Sequence, residues 1–105
     1  MKVLNVMLSK GLGGIEQVFL DYNHALNLHH NHVTPVIHPK SPLKHKIYGH
    51  FETLFNLNKF DLIAIYRLKK LIKREKPKCI ITHGNRATAL VRLATDSVPI
   101  IAVAH

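Results

Sequence analysis

Apolar and polar positions follow one another along the chain in blocks that predict strands and helices in turn. Short apolar runs typical of buried parallel strands cover residues 2–8, 33–37, 79–82 and 100–104. A weaker strand is predicted over residues 53–57, where Leu and Phe alternate with polar residues. Because strands buried on both faces have near-continuous apolar sequences, these segments together predict a parallel sheet.

The segments between the strands carry apolar side chains at helical spacing. They cover about residues 14–30, 61–76 and 85–95. Asp61 is placed to cap the second helix and Pro77 to end it, and Asn85 is placed to cap the third. Strands that alternate with helices in this way predict an α/β fold: a doubly wound, Rossmann-like parallel sheet of about five strands with helices on both faces.

The length and the last residues bear on domain organisation. The chain has 105 residues, enough for one small domain or for part of a larger one. It stops at His105, directly after an apolar strand that in this architecture leads into another covering helix. We therefore expect residues 1–105 to form a partial domain, and self-association through an unfinished sheet stays open.

Charge and cysteine content narrow the classes of partner. Fifteen Lys and Arg residues against six Asp and Glu residues give a formal net charge of +9, which attracts nucleotide phosphates, lipid headgroups or nucleic acid. Cys79 is the only cysteine, so no internal disulfide can form. The first residues do not predict a secretory leader, and no apolar run reaches about 20 residues. These features predict a cytoplasmic protein, with peripheral contact at the inner face of the membrane left open.

The second predicted helix has the densest basic surface. Its polar face includes Arg67, Lys70, Lys73 and Arg74. Such a face is either an ordinary solvated surface or a docking surface for anionic lipid. The sequence contains no recognisable RNA- or DNA-binding motif, which makes nucleic acid the less favoured partner.

Candidate ligand-binding residues follow the predicted strands, because open α/β sheets bind ligands at the carboxyl ends of their strands. After the first strand, Gly11, Gly13 and Gly14 allow close backbone approach at the start of a helix, where free N–H groups suit a phosphate. The loop is not the dinucleotide fingerprint, since Glu16 stands where the third glycine is needed, and it lacks the Gly-Lys-Ser/Thr of a P-loop. Glu16, in the first helical turn, is expected to be stabilised by the helix dipole.

The histidines do not predict a metal site. His29, His30 and His32 lie close together in sequence, but no cysteine or carboxylate accompanies them. His38, His83 and His105 follow strands, where they either serve a ligand or cap and pack the strand ends. We predict neither a metal nor a cofactor, and the scattered acidic residues offer no clear pair for acid/base catalysis.

The motifs in these segments resemble a known enzyme family. The first strand Lys2–Val6, the loop Lys10–Gly14 and the helix start Ile15–Val18, with its Gly-Gly-x-Glu signature, resemble the N-terminus of retaining, two-Rossmann-domain glycosyltransferases of glycosyltransferase group 1 (family 4). The segments Ile80–Asn85 and Val98–His105 are similar to the fourth and fifth strands of that family.

The resemblance implies a role for each matching residue. Gly13 and Gly14 would approach the diphosphate of a nucleotide-sugar donor, and His105 would be the catalytic residue beside the transferred sugar. The acceptor side would be lined by His83, Gly84, Asn85 and Arg86. The family's C-terminal donor-binding domain is absent from this sequence, so the chain alone is expected to be inactive. The alternative is a non-catalytic basic α/β module that docks on an anionic membrane or on a protein partner.

Overall fold

A computed structural model describes residues 1–9, 14–29, 32–47, 49–58 and 61–103. In these ranges the elements are β1 (Lys2–Met7), α1 (Gly14–Leu28), β2 (His32–Ile37), a 3₁₀ turn (Pro42–His45), β3 (Glu52–Thr53), α2 (Leu62–Glu75), β4 (Cys79–His83), α3 (Asn85–Ala94) and β5 (Ile100–Val103). The strands pair in parallel in the order β3-β2-β1-β4-β5. The predicted α/β fold, a Rossmann-like parallel sheet of five strands, is confirmed.

Helices cover both faces of the sheet because successive strand residues point to opposite sides. Leu4 and Val6 of β1 lie in the core under α2 and α3. Met7 lies on the other face and packs with Phe19 of α1 and Ile37 of β2. This division places α1 alone on one layer and α2 with α3 on the opposite layer.

The second helix begins and ends where the sequence predicts. Asp61 is its N-cap, and its Oδ1 accepts a hydrogen bond of 3.1 Å from the amide of Ala64. At the other end Lys76 is in the left-handed conformation, with φ of 50°, directly before Pro77. A left-handed residue followed by proline stops a helix, because proline cannot supply the next N–H.

Two local predictions were wrong. The N-cap of α3 is Gly84, with φ of 92° and no side-chain cap, and Asn85 is already the first helical residue. The reason is that Gly84 adopts a backbone conformation open to glycine, so one residue is enough to turn from β4 into α3.

The predicted third strand over residues 53–57 is reduced to Glu52–Thr53. After the Leu54 amide bonds the Ile37 carbonyl at 2.8 Å, the chain leaves the sheet. Leu54 and Asn56 are buried, whereas Phe55 and Leu57 are exposed. Residues 54–57 therefore alternate between buried and exposed positions, as a strand does, but they lie beyond the short strand β3. The buried side includes the polar Asn56 and is not purely apolar.

Candidate functional site

The strand order reverses between β1 and β4, which makes their carboxyl ends the expected ligand-binding edge of the sheet. Helix α1 begins at Gly14, after β1, and α3 begins directly after β4. The two helix starts touch, since a Cβ placed on Gly84 would lie 3.2 Å from Cδ1 of Ile15. Two helix N-termini, each with free backbone N–H groups, therefore meet at the switch point.

Two buried polar atoms lie on either side of residues 10–13. The hydroxyl oxygen of Ser9 and Oε2 of Glu16 have no hydrogen-bond partner among the described residues. Glu16 is 4% exposed and lies in the first turn of α1, as predicted, where the helix dipole favours a negative charge. The dipole does not replace a donor, and a buried oxygen without one is costly. Such atoms in a folded protein are expected to meet a donor from another protein group, a ligand or an ordered water.

His83 is the last residue of β4 and is 2% exposed. Its Nε2 lies 2.7 Å from Oδ1 of Asn5, whose Nδ2 donates to the Phe19 carbonyl at 3.2 Å. Because Asn5 uses its amide nitrogen as donor, its oxygen accepts and His83 Nε2 carries the proton. Phe19 and Tyr22 pack edge-on against the imidazole ring, at centroid distances of 5.5 and 5.4 Å. The ring is thus held between the sheet and α1, and its role toward an acceptor stays a prediction.

Arg86 is held at the same edge by a residue that the sequence did not single out. Asn56 is 2% exposed, and its Nδ2 donates to the carbonyls of Leu8 at 3.4 Å and Leu54 at 3.0 Å. Its Oδ1 accepts a hydrogen bond of 3.3 Å from Nη1 of Arg86. The amide thereby links the ends of β1 and β3 to the guanidinium of α3. The one signal in the sequence was a polar residue inside the predicted third strand.

The remaining predicted site residues fall in different places. Gly14 is exposed, and a Cβ there would meet nothing within 4 Å, so packing does not require a glycine. Gly13 and His105 lie outside the described residues. His38 is buried after β2, where its Nδ1 accepts from the Lys40 amide at 3.0 Å. That contact caps a turn, in agreement with the structural alternative for this histidine.

The predicted basic face of α2 is only partly free of ion pairs. Arg67, Lys70 and Arg74 line a cleft of about 320 Å³ beside β3. Arg74 pairs with Glu52 and Glu75, and the hydrogen bond with Glu52 raises the pKa of the guanidinium further. Within the described ranges, no ion pair engages the side chains of Arg67, Lys70 or Lys73.

In the described part of the chain, helix length and side-chain clustering bear on membrane crossing and metal binding. None of its helices is long and apolar enough to cross a bilayer. None of its His, Cys, Asp and Glu residues come together in a group of three able to hold a metal ion. Comparison of the whole chain with models of protein families and with curated proteins gives no match.

Proposed function

We propose that this chain forms part of the acceptor-side domain of a retaining glycosyltransferase that uses a nucleotide-sugar donor. One observation carries the proposal: two helix N-termini meet at the switch point of a parallel sheet, next to buried oxygens of Ser9 and Glu16 that have no hydrogen-bond partner among the described residues. The Gly-Gly-x-Glu motif at the start of α1 supports it by resemblance. Charge and fold agree with an anionic ligand at this edge.

The chemistry of sugar transfer matches the groups at this edge. The nucleoside diphosphate gains negative charge as its bond to the anomeric carbon of the donor sugar breaks. Backbone N–H groups at a helix start stabilise such charge without reorganising. In the proposal, the open backbone at Gly14 admits the diphosphate, together with Gly13. Arg86, fixed by Asn56, adds a cation at the same edge.

Glu16 serves a different part of the substrate in this proposal. An unpartnered carboxylate oxygen accepts hydrogen bonds and repels phosphate, so its partner is a hydroxyl group of a sugar or acceptor. His105 is proposed to lie beside the transferred sugar, and His83, Gly84 and Asn85 to lie on the acceptor side. The donor-binding half of the cleft is supplied by another domain, so the chain alone binds the donor weakly and transfers nothing.

Titration of the ¹⁵N-labelled chain with UDP, monitored by NMR, tests the proposal. UDP at millimolar concentration is expected to shift the amide signals of residues 14–16 and 84–86, and UMP to shift them less, since the second phosphate contributes the contact. Gly14→Val is expected to remove the response while the rest of the spectrum keeps the dispersion of a folded protein. An added Cβ meets no atom within 4 Å, but it would occupy the space in which the proposal places the diphosphate. Arg86→Gln is expected to weaken it.

The matched control is Arg92→Gln, which removes an exposed arginine from the same helix at its other end. The proposal is wrong if UDP leaves the signals of residues 14–16 and 84–86 unchanged, or if Arg92→Gln weakens binding as much as Arg86→Gln. A sugar-transfer assay with the isolated chain provides a second check. Turnover would contradict the need for a separate donor-binding domain.

A further inference from the structure

The first turns of α2 expose large apolar side chains to solvent. Leu62, Ile63 and Tyr66 are 78%, 69% and 51% exposed. The helix does not need them for its core, because a separate buried stripe through Leu68 and Ile72 already packs against the sheet. Single exposed apolar residues are ordinary, but a group of them at one end of a helix indicates an interaction surface.

Leu57 belongs to the same group. Its backbone amide donates to Oδ2 of the N-cap Asp61 at 3.0 Å, which holds the preceding segment against the helix start. The Leu57 side chain is 68% exposed. We call Leu57, Leu62, Ile63 and Tyr66 the apolar tip.

Basic side chains follow the apolar tip along the outward side of α2. They are Arg67, Lys69, Lys70 and Lys73, which we call the basic flank. No ion pair in the described ranges involves any of them. The ammonium of Lys70 lies 5.0 Å from the ring centroid of Tyr66, so the tip and the flank form one continuous surface.

We propose that the apolar tip and the basic flank bind the surface of an anionic lipid bilayer. With a rise of about 1.5 Å per residue, Lys73 lies roughly 16 Å along the axis from Leu62. A tilted helix can therefore insert the tip about 5 to 10 Å into the boundary between headgroups and acyl chains while the flank stays among the anionic headgroups. The charge of the chain, +9, complements such a surface.

The composition of the surface favours lipid over nucleic acid. Single strands bind on aromatic platforms, whereas the tip has three aliphatic side chains and one aromatic side chain, Tyr66. Burial of aliphatic groups in an acyl layer is favourable in free energy, whereas contact with phosphates or bases stabilises them little.

Membrane docking would also fix the orientation of the molecule. Because the strands are parallel and α2 follows β3, the start of α2 lies at the carboxyl edge of the sheet, the edge that holds the candidate site. The docking proposal does not depend on sugar transfer. Where the proposed function also holds, it brings the acceptor side close to the bilayer.

The chain contains no tryptophan, so Tyr66→Trp creates a single fluorescent reporter in the tip. With vesicles of phosphatidylcholine and phosphatidylglycerol, its emission is expected to shift to the blue and to be quenched by brominated acyl chains. Vesicles of phosphatidylcholine alone are expected to give no shift. Leu93→Trp is the matched control, because Leu93 is also 51% exposed but lies on α3; its emission is expected to stay unchanged.

Sedimentation with the anionic vesicles separates the two parts of the surface. Lys69→Gln, Lys70→Gln and Lys73→Gln combined are expected to weaken binding roughly a hundredfold, since each of the three charges contributes about fivefold. In the chain that carries Tyr66→Trp, Leu62→Ser combined with Ile63→Ser is expected to abolish quenching of the tryptophan emission by brominated lipid. The circular dichroism spectrum is expected to remain unchanged.

Several outcomes would overturn the proposal. Equal binding to phosphatidylcholine vesicles, or a Trp signal at residue 66 that stays water-exposed on bound vesicles, would exclude insertion driven by anionic lipid. Tighter binding to a single-stranded oligonucleotide or to polyglutamate than to the vesicles would assign the surface to nucleic acid or to an acidic protein.

Discussion

The two layers of helix on this sheet are built differently. Among the described residues, the core beneath α2 and α3 is a continuous apolar cluster of 15 buried residues that runs from Leu4 to Ala94. The cluster beneath α1 has, in the same part of the chain, four buried residues, Met7, Phe19, Ile37 and Leu43. The α1 layer also buries Asn5, Glu16 and His83, whose polar groups an apolar core would exclude.

This difference separates what stabilises the fold from what is available for binding. Apolar burial contributes to stability in proportion to area, so the α2/α3 layer supplies most of the driving force. Buried polar groups cost free energy unless they are paired. Among the described residues, the α1 layer buries Asn5, Glu16 and His83 close to the switch point. A ligand at the switch point would therefore find buried polar groups in the α1 layer, in addition to Arg86 of α3.

The largest effect is expected from damage to the α2/α3 layer. Leu68→Ala removes a fully buried side chain from that core and is expected to lower the free energy of unfolding by about 2 to 5 kcal/mol. Urea denaturation followed by circular dichroism measures the change. Leu93→Ala, on the exposed side of α3, serves as control and should change stability little; equal losses for both would mean that the core is not where the structure places it.

A somewhat smaller loss is expected in the α1 layer. Asn5→Ala removes the acceptor of His83 Nε2 and the donor to the Phe19 carbonyl, both buried, at an expected cost of about 1 to 3 kcal/mol. The imidazole signals of His83 in ¹H-¹⁵N NMR should change at the same time. An unchanged His83 spectrum in Asn5→Ala would contradict the described pair.

The two helix starts at the switch point should respond differently to alanine. Gly84→Ala forces a side chain into φ of 92° and toward Ile15, which is expected to cost about 1 to 2 kcal/mol. Gly14→Ala meets open space and should leave thermal stability unchanged or slightly raised. Thermal unfolding compares the two variants. A larger drop in melting temperature for Gly14→Ala than for Gly84→Ala would contradict the described difference between the two glycines.

The smallest effect on stability is expected from protonation of the two carboxyl groups at the ends of α2, those of Asp61 and Glu75. Backbone hydrogen bonds from Ala64 and Leu57 lower the pKa of Asp61. Partial burial opposes ionisation of Glu75, but hydrogen bonds from Thr34 and Lys2 outweigh it, so the pKa of Glu75 is also lowered.

Because both carboxyl groups titrate lower in the folded state than in the unfolded state, their contribution is complete above about pH 5 and is lost as pH falls through the folded pKa values. The melting temperature, followed from neutral pH to below about pH 4, should therefore fall. Asp61→Asn with Glu75→Gln should flatten this part of the profile. A profile as steep as that of the unchanged chain would place the acid sensitivity elsewhere.

The sequence predicted those features that depend on neighbouring residues. Apolar runs and helical spacing predicted the strands β1, β2, β4 and β5 and all three described helices, with bounds within about two residues. Asp61 was recognisable as a cap because its side chain bonds an amide three residues further along. The same local reasoning failed at Asn85, where a glycine conformation decided the helix start instead.

Contacts between distant residues were decided only by the tertiary structure. His83 and Asn5 are 78 positions apart, and Arg86 and Asn56 are 30 apart, so no spacing in the sequence reports either pair. The sequence by itself determined a basic α/β chain with these elements, because hydrophobic periodicity is a local property. In the described part of the chain, the order of the strands and the cover of the helices decide which polar groups are buried, which of them find no partner there, and which apolar side chains stay exposed on α2.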